Sequence, residues 1–181
     1  MCTAVRGTLI ISSIQSLKRR GHFDRYRALL LPAVAEQLVY LASPEWLPIA
    51  VAEAHYGACE ALALAASEAH AIGAEVAPYA VPGVRVLLAT AKAGGVTPWT
   101  LVERGPAYWR RMYVGSSIEC TRVGPKDGVL TVRGNPLARF AYWRTALAGI
   151  VFGLSTPLCR HAFVNETNTH GDGVVYRLSW A

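Results

Sequence analysis

The chain has 181 residues, 52% of them hydrophobic and 17% charged, with a net charge of +6. It is long enough for one domain, 1–181, with a substantial core, and too apolar for a disordered segment. No run approaches the roughly 18 apolar residues that a bilayer span needs, because Glu53, Glu60, Glu68, Glu75 and Arg85 interrupt the most apolar region; with no basic leader ahead of a long apolar run, the expected location is the cytoplasm.

In chain order, the apolar patch Val5 to Ile14 runs into Ser16-Leu17-Lys18-Arg19-Arg20, the end of a short helix closed by Gly21. His22 to Leu31 reads as a second short helix with Phe23, Tyr26 and Leu30 at helical spacing, and Pro32 begins another that carries Val34, Leu38 and Leu41. Ser43-Pro44, Thr97-Pro98 and Asn135-Pro136 each put an N-cap side chain before a proline, which suits the first helical position because its missing N–H has no intrahelical partner. The first of these predicts a long Ala-rich helix to about Ile72, ended by Gly73. On it Val51, His55, Ala58, Cys59, Leu62, Ala66 and Ala69 fall on one arc, and Glu53, Tyr56, Glu60 and Ser67 on the other.

Val84 to Ala93 predicts a further short helix stopped by Gly94-Gly95, and Thr97 starts one that Gly105-Pro106 interrupts and Ala107 to Tyr113 resumes. The pattern then changes to period two. Ser117 to Val123 and Val129 to Arg133 read as strands around a turn whose Asp127-Gly128 supplies positive φ. Asn135-Pro136 opens a helix to about Leu154 with the stripe Phe140, Trp143, Leu147, Ile150 and Leu154 on one side. Its other side carries Ala141, Thr145, Ala148 and Gly149, which predicts burial on both faces, by a second helix layer or by a symmetry mate. Cys159 to Trp180 forms a closing hairpin in which Val174, Tyr176, Leu178 and Trp180 share the buried face.

This order predicts an α+β fold: a mainly helical part, 1–114, packed on a four-stranded antiparallel sheet of ββαββ order in 115–181. Charge follows the same division. Residues 1–30 hold six Lys/Arg and one acid, residues 31–84 six Glu and no Lys/Arg, and residues 85–181 twelve Lys/Arg and five acids. Such segregation can hold a helix against the rest of the chain or present a solvated face. Fifteen of the eighteen basic residues are scattered Arg, a poor nucleic-acid footprint. Four unpaired cysteines, at positions 2, 59, 120 and 159, read as reduced thiols.

No phosphate-cradling Gly-rich loop, nucleophile elbow or paired-His zinc motif is present. His55 and Cys59, with Cys159 and His161, have the donor types of a tetrahedral Cys₂His₂ site but no recognised metal spacing, and buried cysteine and histidine are ordinarily core residues, so no metal is expected. Glu166 to Gly173 is the most polar cluster. It reads as turn chemistry, or as a site rim on which Glu166 and His170 act as an acid–base pair or bind a ligand. Tyr108, Trp109, Tyr113 and Trp143, with Tyr142, Tyr176 and Trp180, are core aromatics that can also line a pocket for a planar ligand.

Glu166-Thr167-Asn168-Thr169-His170-Gly171-Asp172-Gly173-Val174-Val175-Tyr176-Arg177-Leu178 resembles the last hairpin of 4-vinyl-reductase-type sensor domains and of the related heme nitric-oxide-binding domains. Arg6-Gly7-Thr8-Leu9, Glu45-Trp46-Leu47-Pro48, Gly105-Pro106-Ala107-Tyr108-Trp109-Arg110-Arg111, Gly134-Asn135-Pro136-Leu137 and Tyr176-Arg177-Leu178-Ser179-Trp180 extend the likeness to a paralogous family of uncharacterised myxobacterial proteins. The resemblance implies a small-molecule sensing or protein-interaction module. It implies no cofactor, because Thr169 and Val174-Val175 stand where such sensors carry hairpin cysteines, and the Tyr-Ser-Arg heme-propionate signature is missing.

The expected function is therefore a non-enzymatic regulatory module that binds a small apolar or aromatic ligand, or a partner protein, as a homodimer. Its ligand-binding residues would be Tyr108, Trp109, Tyr113, Trp143, Glu166 and His170. Two alternatives stand beside it: an enzyme using Glu166 and His170, and a nucleic-acid-binding protein using the Arg-rich C-terminal half.

Overall fold

A computed structural model describes residues 1–41, 45–80 and 96–181. The architecture is α+β. Strand β1 (Ala4–Arg6) leads into helices α1 (Gly7–Arg19), α2 (Phe23–Ala28) and α3 (Pro32–Val39). Strand β2 (Trp46–Pro48), α4 (Ile49–Ala61), α5 (Ala66–Ala80) and α6 (Pro98–Met112) follow. The second part comprises β3 (Tyr113–Val114), β4 (Ser117–Gly124), β5 (Asp127–Arg133), a 3₁₀ turn (Pro136–Arg139), α7 (Ala141–Ser155), a second 3₁₀ turn (Thr156–Leu158), β6 (Ala162–His170) and β7 (Gly173–Trp180). The four long strands form an antiparallel sheet in the order β4-β5-β7-β6, with α7 in the predicted ββαββ position. Three short strands, β2-β1-β3, form a second sheet by long-range pairing alone. Among the described residues no helix is long and apolar enough to cross a membrane.

The closing strand behaves as its period-two pattern requires. Val174, Tyr176, Leu178 and Trp180 keep 0%, 1%, 1% and 8% of their surface exposed, and the first two join α7 in the main core. Helix α7 is covered on both faces. Its small-residue back lies on α5, where a β-carbon at Gly73 would stand 1.9 Å from the Ala146 carbonyl oxygen, and one at Gly149 would stand 2.0 Å from that of His70. The two backbones touch because glycine leaves no side chain between them. The second helix layer is thus supplied within one chain.

The charge segregation resolves into specific pairs. Arg20 bridges Glu68 at 2.9 Å and Glu75 at 2.7 Å, Arg19 meets Glu75 at 2.9 Å, and His22 meets Glu68 at 3.1 Å. These contacts fasten the end of α1 to α5. Glu53 pairs with Arg139, and the Glu60 carboxylate accepts the Tyr142 N–H at 2.6 Å. An anion at that position also complements the positive end of α7.

Five local expectations require correction. The turn between β4 and β5 is Pro125-Lys126, with Asp127 and Gly128 already in β5 and neither at positive φ. The Ala-rich stretch is two helices, not one ending at Gly73. It breaks after Ala61, Ala63 takes a left-handed φ of 52°, and the Arg25 guanidinium donates to the Leu62 carbonyl at 3.2 Å, satisfying a group the helix end leaves open. Gly73 lies inside α5 as a packing residue. Helix α6 runs through Pro106 without interruption. The helix predicted from Asn135 begins as a 3₁₀ turn, capped by the Asn135 side chain on the Leu137 N–H, and becomes α-helical from Ala141. The predicted helix start at Ser43-Pro44 and the helix from Val84 to Ala93 lie outside the described residues. Gly21 closes α1 at φ +74°, as read.

Candidate functional site

Helix α6 lies across β4, pressing Gly105 so close to Cys120 that an added β-carbon would stand 2.7 Å from its Sγ. Beside this crossing, α6, α7 and the sheet enclose an apolar cleft of about 70 Å³. Helix α6 contributes Leu101, Val102, Tyr108 and Met112; α7 contributes Leu147, Val151 and Leu154; Ile118, Cys120 and Leu130 form the sheet side. Of its polar side chains, Ser155 is committed to the Val151 carbonyl at 2.8 Å. Burial, and secondarily the Glu119 carboxylate, pushes the Cys120 thiol up to about 11, so it is protonated at neutral pH. The cleft is suited to apolar contact with few polar groups, the usual make-up of a small-molecule site.

Its roof is easily deformed. Pro106 cannot donate the helical hydrogen bond to Val102, and Gly105 has poor helix propensity, so α6 is weakest directly over the cleft. The C-terminal turn of α6 is held to the core. Trp109 stacks on Tyr113 with ring centroids 4.3 Å apart, and Trp143 meets Tyr113 edge-on at 6.3 Å. The indole N–H of Trp109 donates to the Ser116 hydroxyl at 2.9 Å and that of Trp143 to the Tyr113 hydroxyl at 3.3 Å. All three rings are buried.

The six residues singled out from sequence therefore divide. Tyr108 and Trp109 line the cleft; Tyr113 and Trp143 brace it from within the core. Glu166 and His170 lie on β6, away from it. Glu166 pairs with Arg144 of α7 at 2.9 Å and accepts the Thr169 hydroxyl. A β-bulge at Thr167 sets their relation: Glu166 opposes Tyr176 while His170 opposes Gly173, so the extra residue turns the two onto opposite faces of the strand. Even spacing in a regular strand would have put them on one face.

His55 is fully buried, with Nδ1 2.7 Å from the Tyr26 hydroxyl and Nε2 3.1 Å from the Ser13 hydroxyl. Burial lowers its pKa to about 3, so the imidazole is neutral. Cys59 lies 3.7 Å from it, whereas Cys159 belongs to a separate cluster with Val102, Leu178 and Trp180. Among the described residues no group of three or more His, Cys, Asp or Glu is placed to hold a metal. Leu178 belonged to the alternating face of the closing strand, but the cleft residues Leu101, Val102 and Cys120 had no distinguishing sequence signal. Leu147 and Leu154 did, as part of the α7 stripe, but periodicity cannot separate a stripe that covers a sheet from one that stops short of it.

No protein-family description matches the chain, and no curated protein does. Solved structures share its fold. An oxygen-binding H-NOX domain related to soluble guanylate cyclases, in its oxygen complex, superposes with a TM-score of 0.63 at 12% identity, covering 96% of this chain and 94% of that one. A single-substitution mutant of the T. tengcongensis H-NOX gives 0.61 at 12% identity over 96% of both chains. An H-NOX structure from work on heme distortion gives 0.64 at 10% identity, over 96% of this chain and 94% of the other.

Proposed function

We propose that this chain is a cytoplasmic, non-enzymatic sensory module of the H-NOX architecture whose ligand is a small apolar or aromatic molecule taken into the cleft beneath α6. The observation that carries the proposal is the pairing of an apolar cleft with a roof weakened at Gly105-Pro106, whose C-terminal turn is held to the core where Trp109 stacks on Tyr113 and Tyr113 meets Trp143. A ligand that prises the roof outward changes the position of α6. Because Met112 is followed directly by β3, which pairs with β1, that movement reaches the small sheet and the start of α1. The output then passes to a partner protein or a second copy. Either must meet surface outside the α5–α7 contact, which is consumed within the chain.

The H-NOX neighbours include heme proteins, so heme is the group the shared fold implies. The residues present do not fit it. The cleft, at about 70 Å³, is far below the 300–1,000 Å³ range of drug-sized sites, and a porphyrin is larger still. Among the described residues no imidazole lines it. The proposed ligand is therefore smaller and carries no metal.

The test is a ¹²⁹Xe NMR titration with xenon, an apolar probe small enough for a space of about 70 Å³. Saturable binding to the wild type, lost in Leu154→Trp, whose indole would fill the cleft from its partly exposed edge, is the expected result. Binding that Leu154→Trp leaves unchanged, or no binding at all, overturns the assignment.

A further inference from the structure

Helices α1, α2 and α3 leave between them a pocket of about 180 Å³ that shares no lining residue with the cleft beneath α6. On α1 its wall is Ile11, Ile14, Gln15 and Lys18, a single helical stripe that is apolar at one end and cationic at the other. The most buried lining residues are Ile14, Tyr26 and Leu38, with 8%, 1% and 6% of their surface exposed. The Tyr26 hydroxyl is engaged by His55 at 2.7 Å, so the inner end of the pocket is apolar.

Two cations stand on its exposed side. Lys18 Nζ lies 4.4 Å over the Phe23 ring, a contact that holds it against the pocket wall, and Arg27 lines the pocket from α2. Both side chains are exposed, and among the described residues neither has an ion pair or a hydrogen bond. No Asp or Glu among the described residues lines the pocket; Asp24 and Glu36 line an adjoining hollow and pair with neither cation. An apolar interior that opens beside unpaired cations complements a molecule with hydrocarbon at one end and negative charge at the other. The orientation is fixed as well, because a charge carried to the inner end would lose its water and gain no partner. An apolar protein cavity of about 150 Å³ accepts the six carbons of benzene, so this one holds about six to eight.

We propose that this pocket is a binding site for a monocarboxylate with an unbranched hydrocarbon tail, the tail lying among Ile14, Leu30 and Leu38 and the carboxylate at the surface beside Lys18 and Arg27. The site is independent of the cleft beneath α6 and stands whether or not that cleft binds anything.

The experiment titrates the full chain, with ¹³C-labelled Ile, Leu and Val methyls, with butanoate, hexanoate, octanoate and 1-octanol. Octanoate should shift the methyls of Ile14, Leu30 and Leu38 saturably and leave those of Leu147 and Val151, in the other cleft, in place. Affinity should rise about three- to fourfold for each methylene from butanoate to octanoate, the gain that burying one provides. Lys18→Gln and Arg27→Gln, both at exposed positions, should each weaken octanoate about two- to fivefold and leave 1-octanol unchanged. Ala35→Trp, whose indole would fill the pocket from α3, should abolish binding. The proposal is overturned if octanoate does not bind saturably, if the shifted methyls lie elsewhere, if affinity is independent of chain length, if neither charge variant weakens octanoate, or if Ala35→Trp binds as wild type does. Should Ala35→Trp fail to fold, the methyl shifts of the wild type and the two charge variants still decide the location.

Discussion

Gly149→Ala and Gly57→Ala make the same chemical change in two helices and should have opposite effects. Replacing a helical glycine with alanine gains about 1 kcal/mol of intrinsic propensity. At Gly57 on α4 nothing opposes that gain, since the nearest atom to an added β-carbon is the Phe140 ring at 3.7 Å, an ordinary contact. At Gly149 the β-carbon would stand 2.0 Å from the His70 carbonyl oxygen, 2.9 Å from its carbon and 3.0 Å from the Ala74 nitrogen. All three are backbone atoms, so no rotamer change relieves the clash. Helices α5 and α7 must separate by more than 1 Å to reach ordinary contact, loosening the core on both sides of α7. Overpacking that shifts backbone costs typically about 1–3 kcal/mol, and a clash this close belongs at the upper end, so after the propensity gain a net loss of about 2 kcal/mol is expected. For a chain of this size that lowers Tm by about 4–8 °C, while Gly57→Ala raises it by about 2–4 °C. Thermal melts followed by circular dichroism at one pH suffice. A Gly149→Ala protein that melts at or above the wild-type temperature would refute the backbone contact between α5 and α7.

Three further outcomes follow from the charged and buried polar groups. Burial pulls Glu75 upward, but hydrogen bonds from Ser16, Arg19 and Arg20 outweigh it and hold its pKa at about 2, below an ordinary carboxylate. Its contribution is therefore present above about pH 4.5 and lost as pH falls toward 2; Glu75→Gln should cost about 1 kcal/mol at pH 7 and nothing near pH 2, which pH-dependent urea unfolding measures. His55 has the same sign of pH dependence for a different reason, since burial holds it neutral. Its folded pKa of about 3 lies below the ordinary value of 6.5, so the unfolded chain binds the extra proton between those limits. Stability there should fall by up to about 1.4 kcal/mol per pH unit of acidification, and the His55 ring resonances should stay unshifted from pH 8 to pH 5. Arg20→Ala removes the cation shared by Glu68 and Glu75 and should speed amide exchange at the end of α1 relative to α7, as hydrogen exchange can resolve.

The parts of the fold that local pattern determines were legible. The alternation of Val174, Tyr176, Leu178 and Trp180 defined the buried strand, and the two unlike faces of α7 announced that both would be covered. Of the six Glu of residues 31–84, Glu53, Glu68 and Glu75 pair with the basic flanks, one of the two readings the charge pattern left open beside a solvated face. What escaped the sequence depends on distant partners. No local signal separates Gly149, which allows two backbones to touch, from Gly57, which has room beside it. The break at Ala63 relies on Arg25, 38 positions earlier, and Pro106 stays helical because the rest of α6 is packed against β4 and the cleft. The bulge at Thr167 changes which face His170 occupies, and with it the meaning of its spacing from Glu166. For the same reason the aromatic residues were identifiable as a group, but not as two liners, Tyr108 and Trp109, and two braces, Tyr113 and Trp143.

The most direct measurement on the sensory reading is a native mass spectrum of the purified chain beside that of Leu154→Trp. The account predicts one small apolar molecule bound per wild-type chain, absent from the variant, and no heme on either. A stoichiometric heme adduct, or a wild-type chain that is bare and also fails to bind xenon, would contradict it.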